Sequence, residues 1–207
     1  MSKGRADGLI PNGHVAPASF DLNGKGGASV TFGFCGRLRA RTKGLDIMLA
    51  AFAEYKRTYA GRLLVIGDGG DRAALEAQAN ELGISADVEF VGAKFGAEKD
   101  ALLETVDVFL HPSRNEGMPG AVLEAAGMGI PVIVSKETNL AEAVDAAQAG
   151  IALSANRAGE LSAAMAQALQ AQKSGEWRRW ALNARKMVET TFSWNRIANL
   201  HFNMYNS

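Results

Sequence analysis

The sequence is short of cysteine, of histidine and of net charge, and each shortage removes a class of protein. One cysteine in 207 residues, Cys35, leaves no internal disulfide framework and no cysteine-based zinc site. The three histidines, His14, His111 and His201, are scattered without metal-ligand spacing, so no metal centre is expected. Lysine plus arginine equals aspartate plus glutamate at 22 each, which argues against a surface built for nucleic acid or anionic lipid. No run of about 18 apolar residues exists, so no transmembrane segment is expected. The stretch MSKGRADG lacks the apolar core of a signal peptide. These shortages point to a soluble, cytoplasmic protein, with association at the cytoplasmic face of a membrane left open for a longer chain. The length suits one good-sized domain.

What is present is alternation. Residues 1–28 are rich in Gly, Asn, Pro and Ser, show no apolar period and read as a loosely ordered leader. From Ser29 the pattern becomes regular. SVTFGFCG reads as a buried strand, which makes Cys35 a core residue, and KGLDIMLAAFAEYKRTY as one amphipathic helix with Leu45, Met48, Leu49 and Phe52 on a face. RLLVIGDGG, DVEFVG, VDVFLHPS, PVIVS and GIALS supply further strands, with helical stretches between them. This alternation predicts an α/β domain, a Rossmann-like, doubly wound parallel sheet of about six strands. After Ala155 the chain turns helical, in ELSAAMAQALQAQ, EWRRWALNARKMVETT and FSWNRIANLHFNMY, the last with Ile197, Leu200 and Met204 on one stripe. Trp177 and Trp180, at helical spacing with Ala181, Ala184 and Val188, read as core rather than as a membrane-surface helix. Residues 29–207 are thus one α/β domain with a helical C-terminal tail.

In such sheets ligands sit at the carboxyl ends of the strands, beside helix N-termini, which ranks three loops. The first, GRLRARTKG, follows Gly36 and packs four cations, Arg37, Arg39, Arg41 and Lys43, into seven residues. A lysine at a helix start opposes the macrodipole, and a bound phosphate would reconcile that with the charge crowding. Arg37, hard against the strand end, is assigned to the ligand, and Arg39 and Arg41 to solvent. The second loop, GDGGDR, fails as a dinucleotide fingerprint, since it follows the second strand and has Arg72 where a third glycine belongs. It reads as a tight turn bringing backbone close to something. In the third loop, RNEGMPGAVLEAAGMG, Gly117 permits a tight turn and Pro119 suits the first helical position. Gly120 adds no side chain, so an anion could approach the unpaired N–H groups. Glu124 lies on an otherwise apolar helix, where a lone buried carboxylate is costly. Sugar hydroxyls or a neighbouring arginine would satisfy it. His111, ending a strand nearby, is expected to make a structural hydrogen bond.

The string VFLHPSRNEGMPGAVLEAAGMGIPVIVS resembles the signature of retaining glycosyltransferase family four, of the GT-B fold, whose hallmark is a pair of glutamates eight positions apart; Glu116 and Glu124 match it without a gap. GRLRARTKGLDIMLAAF is similar to the family's first strand–loop–helix, where an arginine and a lysine six positions later bind the donor diphosphate, as Arg37 and Lys43 are spaced. RLLVIGDGG, VEFVG and the closing FSWNRIANLHFNMY fit in order, and the likeness runs from residue 9 to 206.

The resemblance implies a donor site for a nucleotide diphosphate sugar made of Gly36, Arg37, Lys43, Ala93, Lys94, Gly117, Met118, Pro119, Gly120, Leu123 and Glu124. Glu116 is implied as the catalytic residue beside the transferred sugar. It places Glu124 on the ribose hydroxyls, the start of the glycine-rich helix by the diphosphate, and the base against backbone at Ala93 and Lys94. No metal or cofactor is expected. The GT-B fold pairs two domains and the acceptor binds mainly the N-terminal one, so this chain is expected to be the C-terminal, donor-binding half, inactive alone. The IPNG at residues 10–13 resembles the exit from that missing partner domain. The family's glycine-rich turn after PVIVS is replaced by KETNLAEAV, where Glu142 is the candidate for a family carboxylate. The expected function is transfer of a hexose to a glycan, lipid or small-molecule acceptor, with no nucleic acid partner. A non-enzymatic nucleotide-sugar-binding module, or part of a sugar-nucleotide epimerase, is the alternative.

Overall fold

A computed structural model describes residues 13–17, 22 and 29–205. β-Branched and aromatic residues build six strands: β1 (Val30–Cys35), β2 (Gly61–Ile66), β3 (Val88–Gly92), β4 (Val108–His111), β5 (Val132–Ser135) and β6 (Gly150–Leu153). All neighbours pair parallel in the order β3-β2-β1-β4-β5-β6. Every residue of β4 and β5 is buried, because a parallel sheet covered on both faces needs continuous apolar runs rather than alternation.

The helices are α1 (Ala40–Lys43), α2 (Leu45–Lys56), α3 (Arg72–Glu81), α4 (Gly96–Glu104), α5 (Gly120–Gly127), α6 (Ala141–Ala147), α7 (Ala158–Ser174), α8 (Glu176–Thr191) and α9 (Trp194–Tyr205). Successive strand residues feed two cores. Phe32, Phe34, Leu63, Val65, Val108 and Leu110 meet α2, α3 and α7, whereas Leu64, Ile66, Phe109, Val132 and Val134 meet α4, α5 and α6. Helix α8 serves both: Trp177, Trp180 and Ala181 join the first core, and Ala184, Met187 and Val188 the second. Trp177 and Trp180 are core, and the Trp177 indole donates to the Asp107 carbonyl at 2.8 Å, satisfying its polar edge. Each large apolar side chain so buried contributes about 1.5–3 kcal/mol.

Three local expectations are corrected. The long helix after β1 is two helices, because Gly44 takes the left-handed conformation (φ 65°) and an added Cβ would sit 1.8 Å from the Pro112 carbonyl oxygen. Lys43 therefore ends a short helix, where the macrodipole favours a cation, instead of opening a long one. Residues 1–12 of the leader and most of 18–28, with IPNG apart from Gly13, lie outside the described residues, but the part described is packed. The His14 N–H donates to the Phe192 carbonyl at 2.7 Å, and Arg185 donates to the Pro17 carbonyl at 2.6 Å. Cys35 is only partly buried, at the mouth of the sheet beside the second core. Ile197 is buried, whereas the side chains of Leu200 and Met204 lie outside the described residues. No helix among the described residues is long and apolar enough to cross a membrane.

Candidate functional site

β1 and β4 are sheet neighbours from which the chain leaves toward opposite faces, so their carboxyl ends open a crevice. A cleft of about 400 Å³ lies there. Gly36 and Arg37 line it from β1, Gly67 and Asp68 from β2, and Ala93, Lys94 and Phe95 from β3, while Lys99 of α4 faces Ala121 and Glu124 of α5. Its floor is backbone. The Gly67 N–H donates to the Gly92 carbonyl at 2.8 Å, Gly36 to Ile66 at 2.9 Å and Leu38 to Asp68 at 2.9 Å. A Cβ on Gly67 would lie 1.9 Å from the Gly36 oxygen. The close approach expected of GDGG is therefore made to the first loop itself.

The two acids flank the start of α5. Glu124 accepts a hydrogen bond from the Lys99 ammonium at 2.7 Å, so its protein partner is a lysine of α4 and not an arginine. Burial works against the Lys99 charge, yet the bond it donates to Glu124 and that carboxylate's field hold the ammonium above its usual value. Burial, aided by the Glu124 charge, pushes the Cys35 thiol up to about 11, which leaves it protonated and a poor nucleophile. The sequence could have pointed to Lys99 only through its place early in the helix after the third strand.

Glu116 is held more tightly. Lys43 donates to its Oε2, and the His111 Nε2 stands 3.6 Å from the same oxygen. His111 and Lys43 together, against the effect of burial, lower the Glu116 carboxyl to about 2. Because 3.6 Å exceeds a hydrogen bond, the firmer hold is that of Lys43. The expected structural hydrogen bond of His111 is absent: among the described residues neither ring nitrogen makes one, although the side chain is 2% exposed. Stacking replaces it, with Phe34 at 5.9 Å and Phe109 at 6.5 Å, both nearly parallel. Burial holds the imidazole below its usual value although Glu116 pulls it up.

The loop carrying Glu116 is pinned on both sides. The KETN segment after β5 supplies the Glu137 carbonyl to the Glu116 N–H at 3.4 Å, and the Asn139 N–H donates to Gly117 at 3.2 Å. On the other side Arg114 grips Asp46 with two bonds of 2.7 Å, and its N–H donates to the Thr42 carbonyl at 2.9 Å. Burial pushes the Asp46 carboxyl up, but the Arg114 fork, together with backbone N–H bonds, more than reverses it. The segment in place of the family's glycine-rich turn thus has a backbone role, while Glu142 is exposed on the first turn of α6.

Pro119 is the N-cap of α5 and Gly120 its first residue, one position later than expected. Gly117 has no positive φ, so the turn does not demand glycine. A Cβ on Gly117 or Gly120 would meet nothing within 4 Å, and the helix end is open to an approaching group. Leu123 is not brought to the cleft; it is 1% exposed within the second core, because its position on α5 points at the sheet. Met118 is half-buried against the same core. Arg39 and Arg41 are exposed on the outer side of the first loop with Gly70 and Asp71, and Arg37, exposed as well, lines both that recess and the cleft.

A parallel sheet in this order, with its cleft at the switch point and an acid on each side of the α5 start, is the C-terminal domain of a GT-B glycosyltransferase. The family described as "Glycosyl transferases group 1" matches residues 18–187, and the chain belongs to it. Among curated relatives, glycogen synthase of Mycobacterium tuberculosis is 31% identical over 173 residues, 83% of this chain and 41% of that protein. The 2-deoxystreptamine glucosyltransferase of Streptomyces kanamyceticus is 38% identical over 116 residues, 55% of this chain and 29% of that protein. Sucrose-phosphate synthase from Thermosynechococcus elongatus superposes with a TM-score of 0.81 at 25% identity, covering 96% of this chain and 51% of that one. The chain spans less than half the length of the curated relatives it matches.

Proposed function

We propose that residues 29–207 form the donor-binding half of a retaining, metal-independent hexosyltransferase that takes a nucleotide diphosphate sugar. Residues 1–28 would lead in from an acceptor-binding domain. The observation that carries the reading is the placing of two lysine-paired carboxylates, Glu116 and Glu124, on either side of one open helix start at a sheet's switch point. In this reading Glu124 takes the ribose hydroxyls, backbone at Ala93 and Lys94 the base, and the α5 N–H groups with Arg37 and Lys43 the diphosphate. When the bond from the anomeric carbon to the phosphate oxygen breaks, negative charge grows on the leaving diphosphate. Fixed cations and N–H dipoles stabilise it without a metal. Glu116, ionised at any ordinary pH, can accept hydrogen bonds from sugar hydroxyls but has no proton to give. It orients the sugar and leaves proton transfer to other groups. The acceptor hydroxyl would be positioned by the other domain, so the 207-residue chain transfers no sugar alone.

Titration calorimetry with UDP, GDP and ADP, beside their nucleosides, tests the reading. At least one diphosphate should bind, and its binding should survive chelation of metal. Arg37→Ala should weaken the diphosphate much more than the nucleoside, whereas Glu124→Gln should weaken both by about 1.5–3 kcal/mol with the fold intact. Strict metal dependence, or a Glu124→Gln protein that melts early but binds normally, would overturn it.

A further inference from the structure

We propose that Glu116 is also a specificity residue: its carboxylate competes with the diphosphate for Lys43, so the site favours a nucleotide that carries its sugar over the bare nucleoside diphosphate. The inference rests on the donor-site reading above. Lys43 and Glu116 are bonded to each other with side chains only 20% and 21% exposed, so water screens the pair weakly. Yet the reading needs the two for different parts of one ligand, the ammonium for phosphate and the carboxylate for sugar hydroxyls. Each serves its own part of the ligand less strongly while they hold each other, because each charge is largely offset by the other.

The fold decides which partner moves. The Glu116 backbone is paired with residues 137–139 after β5, and Arg114 ties the preceding residues to Thr42 and Asp46. Lys43 ends a helix packed under Pro112, but its side chain is a flexible four-carbon stem that can swing. A diphosphate therefore draws Lys43 away and leaves the acid behind. Beneath the acid stands His111, 3.6 Å away and held neutral by burial, which offers at most an uncharged donor. A bare diphosphate thus exchanges one ion pair for another and strips a partly buried carboxylate of its cation, which is costly. A sugar on the diphosphate brings hydroxyl donors to that carboxylate. After transfer the sugar is gone, Lys43 returns to Glu116, and the diphosphate product is expelled. The Lys99–Glu124 pair needs no such exchange, since no part of the ligand in this reading claims Lys99.

The experiment titrates the parent, Glu116→Gln, Lys43→Met and the double variant with whichever of UDP, GDP and ADP binds, and with the glucose conjugate of that nucleotide. Glu116→Gln should bind the bare diphosphate about tenfold more tightly than the parent, the gain expected from releasing a charge-assisted bond to Lys43. Its preference for the conjugate over the diphosphate should fall by at least as much. In the Lys43→Met background the same substitution should leave diphosphate affinity unchanged. Melting curves check each variant, and Glu116→Asp, one methylene shorter, should show a smaller gain if Glu116→Gln folds poorly. Weaker diphosphate binding by Lys43→Met, with no gain from Glu116→Gln or Glu116→Asp, would overturn this inference and leave the donor site standing. No binding of any diphosphate by the parent would overturn both.

Discussion

The two sides of the α5 start carry the same chemistry, a lysine bonded to a glutamate, in unlike surroundings: Lys99 and Glu124 line the cleft, whereas Lys43 and Glu116 lie outside its lining. At the entrance to α5 Glu116 sits on the loop after β4, fixed by the segments after β1 and β5, over a buried imidazole. At the rim Glu124 meets Lys99 from a helix whose preceding loop is exposed, with the Phe95 ring 81% accessible. An ion pair's worth depends on what else holds its two ends. The entrance pair is set by many long-range contacts, the rim pair by two helix positions alone.

The largest effect should come from breaking the backbone that presents Lys43. Gly44→Val places a branched side chain at φ 65° against the Pro112 carbonyl, and urea unfolding should show a loss of about 3 kcal/mol or more. At the rim, Gly96 also has positive φ (52°), but an added Cβ meets nothing, so Gly96→Ala should cost only about 1–2 kcal/mol for the left-handed conformation. Equal losses would erase the contrast.

Next in size, the two sides should respond to opposite pH extremes. Folding lowers the His111 and Glu116 values, so the unfolded chain binds more protons in acid. Stability should fall as pH drops below about 6.5, and again from about 4.5 toward 2 as Glu116 protonates. Folding raises Lys99, so its contribution is complete below the unfolded value of 10.5 and is lost as pH rises through the folded one. Melting temperatures across pH should show both limbs. His111→Phe, which keeps a stacked ring, should shrink the first acid step to the part owed to His14, which burial also holds below its usual value, and an unchanged step would assign all of it elsewhere.

The smallest effect sharpens the rim. Phe95→Ala should alter stability by no more than about 0.5 kcal/mol, since the ring is solvated. A larger loss in urea unfolding would show the rim to be as packed as the entrance.

Much of this was legible along the chain. Continuous apolar runs between helix-length stretches follow from a sheet covered on both faces, and they marked the strands that β1 to β6 confirm. The spacing of Glu116 and Glu124, and the unadorned helix start between them, could be read directly. The misses were local conformations overridden by distant neighbours. Gly44 splits a helix because Pro112 crosses above it, and Pro119 falls outside α5. Leu123 turns to the core because α5 packs that face on the sheet. His111 finds ring stacking in place of a hydrogen bond.

By itself, then, the sequence determined the alternating α/β architecture and the acids at the switch point, because periodicity and spacing are properties of neighbouring residues. Only the tertiary structure decided which cation meets which acid. Lys43 is 73 positions from Glu116 and Lys99 is 25 from Glu124. Nothing local favours those partners over Arg37 or Lys94. Parallel pairing of β1 with β4, and the helices laid on opposite faces, bring these side chains within bonding distance, and that arrangement depends on the two cores closing together.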